Sequence, residues 1–140
     1  MLPTGKRTVH PYPAWRSRAK FLINGSWYRE DGNPDTRRHE QLWARLTDIN
    51  RFEICCIQFL VRNLALGDEV ETAADSESKY QMQRVIRSSG RRTYRVLFGG
   101  TLDEAAQLRF SNQIQELDCL FEWSSGCHVA VDAASVEQAR

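Results

Sequence analysis

Four cysteines and three histidines are the residues of this chain whose types could support metal or nucleophilic chemistry, and their spacing argues against both. Zinc sites usually present close pairs such as Cys-x2-Cys, whereas Cys55 and Cys56 are adjacent in an apolar run, where a strand points them to opposite faces. With Cys119 and Cys127 they are expected to be reduced, buried thiols of a core, and neither a metal nor a cofactor is expected. A cysteine nucleophile needs a histidine base. His10 and His39 lie in the N-terminal region, and His128 follows Cys127, so on a strand it points the other way. Asp68 and Glu71 form a carboxylate pair without the neighbours that would separate two pKa values. Asp68 is expected instead to hydrogen-bond the amides of its own turn. Gly99 and Gly100 before Thr101 lack the lysine and spacing of a phosphate-binding loop. No residue is assigned a catalytic role.

The stronger signal is for binding. Arg84, Arg87, Arg91, Arg92 and Arg95 gather around Tyr80 and Tyr94, a mixture of cations and π faces that suits phosphate backbones and stacked bases. Alternation puts Arg91, Thr93 and Arg95 on one face, with Arg92 and Tyr94 on the other. Arg95 is expected to pair with an acid such as Glu53 or Asp68, and Arg91 and Arg92 to stand in solvent at a hairpin tip. Arg84, Arg87, Arg91, Arg92 and Tyr94 are therefore the candidates for nucleic-acid or anion binding.

Net charge is only +1, yet it is unevenly spread: residues 1–39 hold eight Lys or Arg against three acids, and residues 79–100 hold six against none. The remaining stretches hold five basic residues and fifteen acids. Glu69, Glu71, Asp75, Glu77, Asp103 and Glu104 are the candidates for an acidic protein-docking surface, and such segregated charge steers a partner's approach. The plainer expectation is that folding interleaves the blocks and the charges solvate exposed faces.

The elements that must position these groups can be read from pattern. Residues 1–39 hold all four prolines and read as an irregular arm, with 19–23 and 26–28 able to pack on the domain as a strand. Leu42, Ala44 and Leu46 alternate with Trp43, Arg45 and Thr47, a strand with one covered face. Asp48, Ile49 and Asn50 turn the chain into residues 51–60, an apolar run expected as a central strand covered on both sides. Gly67 is expected to take positive φ in the turn before a strand at 69–72. Residues 80–87 and 92–98 read as a hairpin joined through Ser88, Ser89, Gly90 and Arg91. A helix is expected from Thr101, with Glu104 completing a capping box and Leu102, Ala106, Phe110, Ile114 and Leu117 forming one stripe. Residues 120–123 and 128–132 flank Ser124, Ser125 and Gly126 as a last strand pair. The expectation is an α+β fold: a mainly antiparallel sheet or small barrel with one long helix packed on it, preceded by the arm, so that 40–140 is a single domain.

Phe52 to Ile57, Leu64 to Val70, and Ser89, Gly90, Thr93, Arg95 and Val96 resemble a bacterial domain of unknown function, family four-two-six-five. Glu40 to Trp43 and Leu120 to Trp123 are similar to the same pattern, so the resemblance spans roughly residues 40 to 132. Similar sequences tend to carry proline where Gln58 stands and histidine where Arg91 stands; arginine stays protonated and cannot replace a histidine base. The resemblance implies a fold and a bacterial origin and supplies no activity.

With no run approaching the ~20 apolar residues of a membrane span and no secretory leader, a cytoplasmic protein without membrane contact is expected. The leading expectation is a non-catalytic protein-binding domain, most concretely a toxin-neutralising immunity protein, by analogy with small α+β domains of segregated charge. The alternatives are a nucleic-acid-binding module using the basic arm and the arginine hairpin, and a small-ligand protein or enzyme.

Overall fold

The computed structural model describes residues 7–27, 38–74 and 79–134. The first described strand is a short one, β1 (Arg7–Thr8). It is followed by β2 (Phe21–Trp27), β3 (Arg38–Asp48), β4 (Arg51–Ile54), β5 (Glu69–Ala73) and β6 (Gln81–Arg87). These last five close a barrel in the order β3-β2-β6-β5-β4, with β4 returning to β3, and β1 adds to β3 in parallel. Only β2 and β6 meet in parallel within the barrel; its other pairings are antiparallel. β2 pairs with β3 over seven positions, from Phe21 opposite Ala44 to Trp27 opposite Arg38. Residue 39 therefore stands inside a paired barrel strand, and residues 21–27 belong to the barrel as fully as β3 does.

Alternation explains the barrel. Leu42 and Ala44 point inward and are fully buried, with Ile23, Phe52, Ile54 and Val70 from neighbouring strands. Phe21, Phe52 and Tyr80 meet edge to face at 5.0–6.0 Å.

The apolar run at 51–60 behaves differently from its expected central strand. Pairing stops at Ile54, and residues 55–68 cross irregularly, with Cys55, Cys56, Ile57, Gln58 and Phe59 all buried. An apolar run has no period to separate a doubly covered strand from a buried coil. Gly67 takes φ +84° where this segment turns into β5. Asp68 serves the turn, accepting from the Ala65 amide at 2.9 Å.

The expected hairpin of 80–87 with 92–98 does not form. β6 pairs with β5 and β2, whereas β7 (Arg92–Leu97) joins β8 (Leu120–Ser125) and β9 (His128–Ala133) in a second antiparallel sheet of order β7-β9-β8. The chain crosses between the sheets at 88–91. The Ser89 amide donates to Asp68 at 2.8 Å and its hydroxyl to the Leu66 carbonyl at 2.7 Å, so the crossing is pinned to the barrel rather than folded back on β6.

The helix α1 (Glu104–Glu116) covers one face of the second sheet. Phe110 and Ile114 pack with Val96, Phe98, Phe121, Trp123 and Val129. Leu117, expected in the buried stripe, is 58% exposed at the helix end. The cap is Asp103, not Thr101: its Oδ1 accepts from the Ala106 amide at 2.7 Å. Asp103→Ala should lower stability by about 1 kcal/mol, whereas Thr101→Ala should leave this cap intact. Urea unfolding of the two variants checks the assignment. The sheet's other face lies on the barrel's irregular segment, where Ala130 meets Ile57, Phe59 and Leu66.

Candidate functional site

His10 and Glu40, both with shifted pKa values, meet Glu122 where the two halves join. His10 lies between two carboxylates, with Nδ1 2.7 Å from Glu122 Oε1 on β8 and Nε2 2.5 Å from Glu40 Oε2 on β3. The imidazole stacks on Phe59 with ring centres 4.2 Å apart. Backbone amides fill the remaining acceptor positions: Phe59, Leu60 and Val61 donate to Glu40, and Ala14 and Ile57 to Glu122. Burial opposes charge on His10, but Glu122 and Glu40 outweigh it and raise its pKa to about 9. Burial also pushes Glu40 upward, and the His10 bond with the Phe59 and Val61 amides more than reverses this, leaving its pKa below the ordinary value.

This cluster explains the irregular segment. Buried amides that leave the strand ladder require other acceptors, and the two carboxylates supply them. The side chains of His10 and Glu40 are 0% exposed and that of Glu122 is 2% exposed, so the cluster is a joint between barrel and sheet, enclosed from any substrate. Sequence reasoning missed it. The readable signal was Glu40, in phase with the inward Leu42 and Ala44.

The expected acidic and basic surfaces turn out to be partly one surface. Glu71 accepts from Arg84 Nε at 3.2 Å and faces Arg51 across the β4–β5 pair. Glu69 faces Arg87 in register and accepts from Thr47 Oγ1 at 3.1 Å. Glu53 holds Arg45 by two bonds of 3.2 and 3.3 Å. The outer barrel face over β3 to β6 is therefore a mixed charge lattice, and its open hollow of about 430 Å³ is lined by Arg51, Glu69, Arg84 and Arg87. Asp103 and Glu104 are at the helix start, away from this lattice, with Asp103 engaged as the cap. Asp75 and Glu77 lie outside the described residues.

The remaining arginines divide as alternation requires, but two have partners other than those expected. Arg91 is not free at a tip. Its Nε lies 3.1 and 2.9 Å from the two oxygens of the fully buried Asp132, and Nη2 also donates to Oδ2. Burial outweighs this pairing at Asp132, whose pKa is raised. Arg95 pairs with neither Glu53 nor Asp68; its Nη2 donates to the Val61 carbonyl. Asp68 is occupied by the amides of Ala65 and Ser89. Partial burial, with Arg62 nearby, lowers the Arg95 pKa although Glu40 acts in the opposite sense. Arg92 and Tyr94 are exposed on β7.

Arg91, Arg92, Thr93 and Arg95 form one wall of an open cleft of about 410 Å³, and Asn63, Leu64 and Ala65 of the barrel form the other. This is the candidate site.

The cysteines present no comparable arrangement. All four are free thiols, and three are buried. Burial, aided by Glu53, pushes the Cys55 thiol up to about 11, and burial holds Cys56 well above its ordinary value. His128 shares a 2.7 Å hydrogen bond with Ser124 Oγ, not with a cysteine. Among the described residues no group of three His, Cys, Asp or Glu side chains is placed to hold a metal ion.

Barrel, helix-covered sheet and buried joint define a small α+β domain with a cationic cleft between its two halves. The chain belongs to the DUF4265 family, a domain of unknown function, whose model matches residues 40–140. The match begins at Glu40 and includes Glu122; His10 lies outside it. The chain is similar to a crystal structure of a hypothetical protein from Neisseria gonorrhoeae, at 18% identity and a TM-score of 0.68 over 84% of this chain and 78% of that chain. That likeness bears on the fold alone. No curated protein matches. Among the described residues no helix is long and apolar enough to cross a membrane.

Proposed function

We propose that this is a non-catalytic domain that works by docking another protein, and that it does so in a reducing, cytoplasmic compartment. One observation carries the reading: β7 ends its sheet, pairing among the described residues with β9 alone, and it exposes Tyr94 (45%) and Leu97 (76%) beside uncompensated arginines. An exposed strand edge with an aromatic and cations is a common protein-recognition surface. The disulfide-free cysteines agree with the compartment.

A toxin-neutralising immunity role is the narrower form of this proposal. It would draw on Glu104 and on Glu69 and Glu71 exchanging their present arginine and threonine partners for a toxin's cations. The nucleic-acid alternative has less support, because Arg84 and Arg87 stand among acids rather than along a continuous cationic groove.

Incorporating a photoreactive benzoylphenylalanine at Tyr94 in the native cells tests the docking reading. A discrete protein adduct is expected from position 94 and not from Ile49, which is 83% exposed on a barrel turn. Identical products from both positions, or none from position 94, would remove the proposal.

A further inference from the structure

We infer that the cleft beside β7 accepts an extended acidic segment of a partner protein as a fourth strand of the small sheet, with two acidic side chains three residues apart. This rests on the docking reading above and adds the partner's chemistry and geometry.

The location is set by which residues line the cleft. Arg92 stands opposite Ala133 on the helix side of the sheet, and Thr93 and Arg95 stand opposite Asp132 and Ala130 on the barrel side. A cleft lined by both faces of one strand must lie along an edge of that strand. β9 fills one edge, so the cleft runs along the other, where backbone donors and acceptors alternate without a strand partner among the described residues.

Charge identifies the occupant. Arg91 is neutralised by Asp132, and the oxygens of Asp68 are taken by two amides. Neither Arg92 nor Arg95 has a carboxylate partner among the described residues; Arg95 donates only to a carbonyl. A second copy of β7 fits poorly, because the strand Arg92–Leu97 holds two arginines and no acid, so a copy would add cations to the edge and answer none. An acidic segment fits both. The two arginines are three positions apart and thus on opposite faces, so a strand beside them must present its acids at the same odd spacing. Two acids separated by a single residue would share one face and meet only one arginine. Tyr94, on the Arg92 face, offers its ring to the one of the two intervening residues that shares that face.

The experiment titrates the full chain, by fluorescence anisotropy, with three labelled peptides and a short oligothymidylate. One peptide carries Glu-Val-Thr-Glu, one has lysine in place of glutamate, and one has the same composition with the glutamates two apart. The Glu-Val-Thr-Glu peptide is expected to bind tightest, to lose roughly tenfold or more in affinity with Arg92→Glu or Arg95→Ala, and to slow amide exchange along 92–97. Arg92 is exposed and without a carboxylate partner, so Arg92→Glu reports on binding even if Arg95→Ala perturbs the fold. Equal binding of the lysine peptide, tighter binding of the oligothymidylate, indifference to glutamate spacing, or no added amide protection would each overturn the inference. Failure here together with a Tyr94 adduct removes the acidic strand and leaves docking; loss of both removes both.

Discussion

Replacing His10 by glutamine is expected to destabilise the protein by about 3 to 5 kcal/mol, because it removes the cation between Glu40 and Glu122 while leaving both carboxylates buried. Glutamine carries both its N–H donors on one nitrogen, so where His10 sets a ring nitrogen towards each carboxylate it would turn a carbonyl oxygen towards one of them, and it cannot reproduce the stacked ring on Phe59. The effect reaches beyond the pair, since the same carboxylates accept the amides of residues 57 and 59–61. Without a neutralising cation, they would draw in water and loosen the segment that separates barrel from sheet. Urea unfolding should show a lower midpoint with little change in slope, and the melting temperature should fall on the order of 10 °C. Adding Glu40→Gln to His10→Gln should recover part of the loss, because it removes one of the opposed carboxylates, so the two effects should not add. A loss below about 1 kcal/mol for His10→Gln would show that the cluster is not the joint between the two halves.

The sequence made local features legible and hid those that depend on distant partners. The strand Arg38–Asp48 was readable because one face is apolar at every second position, and the helix because its stripe recurs at three and four. Asp68 was readable as a turn residue because its amide partner at Ala65 is three positions away. The hairpin expectation failed because two β-rich runs around a glycine read identically whether they pair or diverge into separate sheets. What separates β6 from β7 is Ser89 bonding to Leu66 and Asp68, more than twenty residues back. Arg91 and Arg95 failed for the same reason: Asp132 and Val61 are 41 and 34 positions away. The joint is the extreme case. Glu40's inward phase was visible, but His10 is bonded across 30 residues to Glu40 and across 112 to Glu122 from a proline-rich stretch without periodicity.

The joint should also give stability a specific dependence on pH. Folding raises the His10 pKa from 6.5 to about 9, so the folded chain holds this proton more tightly than the unfolded one. The associated stabilisation is complete below pH 6.5 and is lost as pH rises through 9, in total roughly 3 kcal/mol. Glu40 has the opposite sign: its pKa is lowered on folding, so its contribution exists above the ordinary glutamate value and disappears as pH falls. The other groups whose pKa values shift on folding act largely outside the interval between 6.5 and 9. Cys55, Cys56 and Cys119, raised by burial, favour the unfolded chain as free thiols ionise around 9 and above. His128, lowered by burial and by Arg95, acts below 6.5, and Asp132, raised by burial, acts near the acid end. Unfolding free energy measured by urea across this interval should therefore fall steadily in the wild type and stay nearly flat in His10→Gln, with the two curves approaching each other near pH 9. Parallel curves would mean that His10 does not hold its proton in the joint. Convergence would identify the imidazolium between Glu40 and Glu122 as the charge that keeps the barrel and the sheet together.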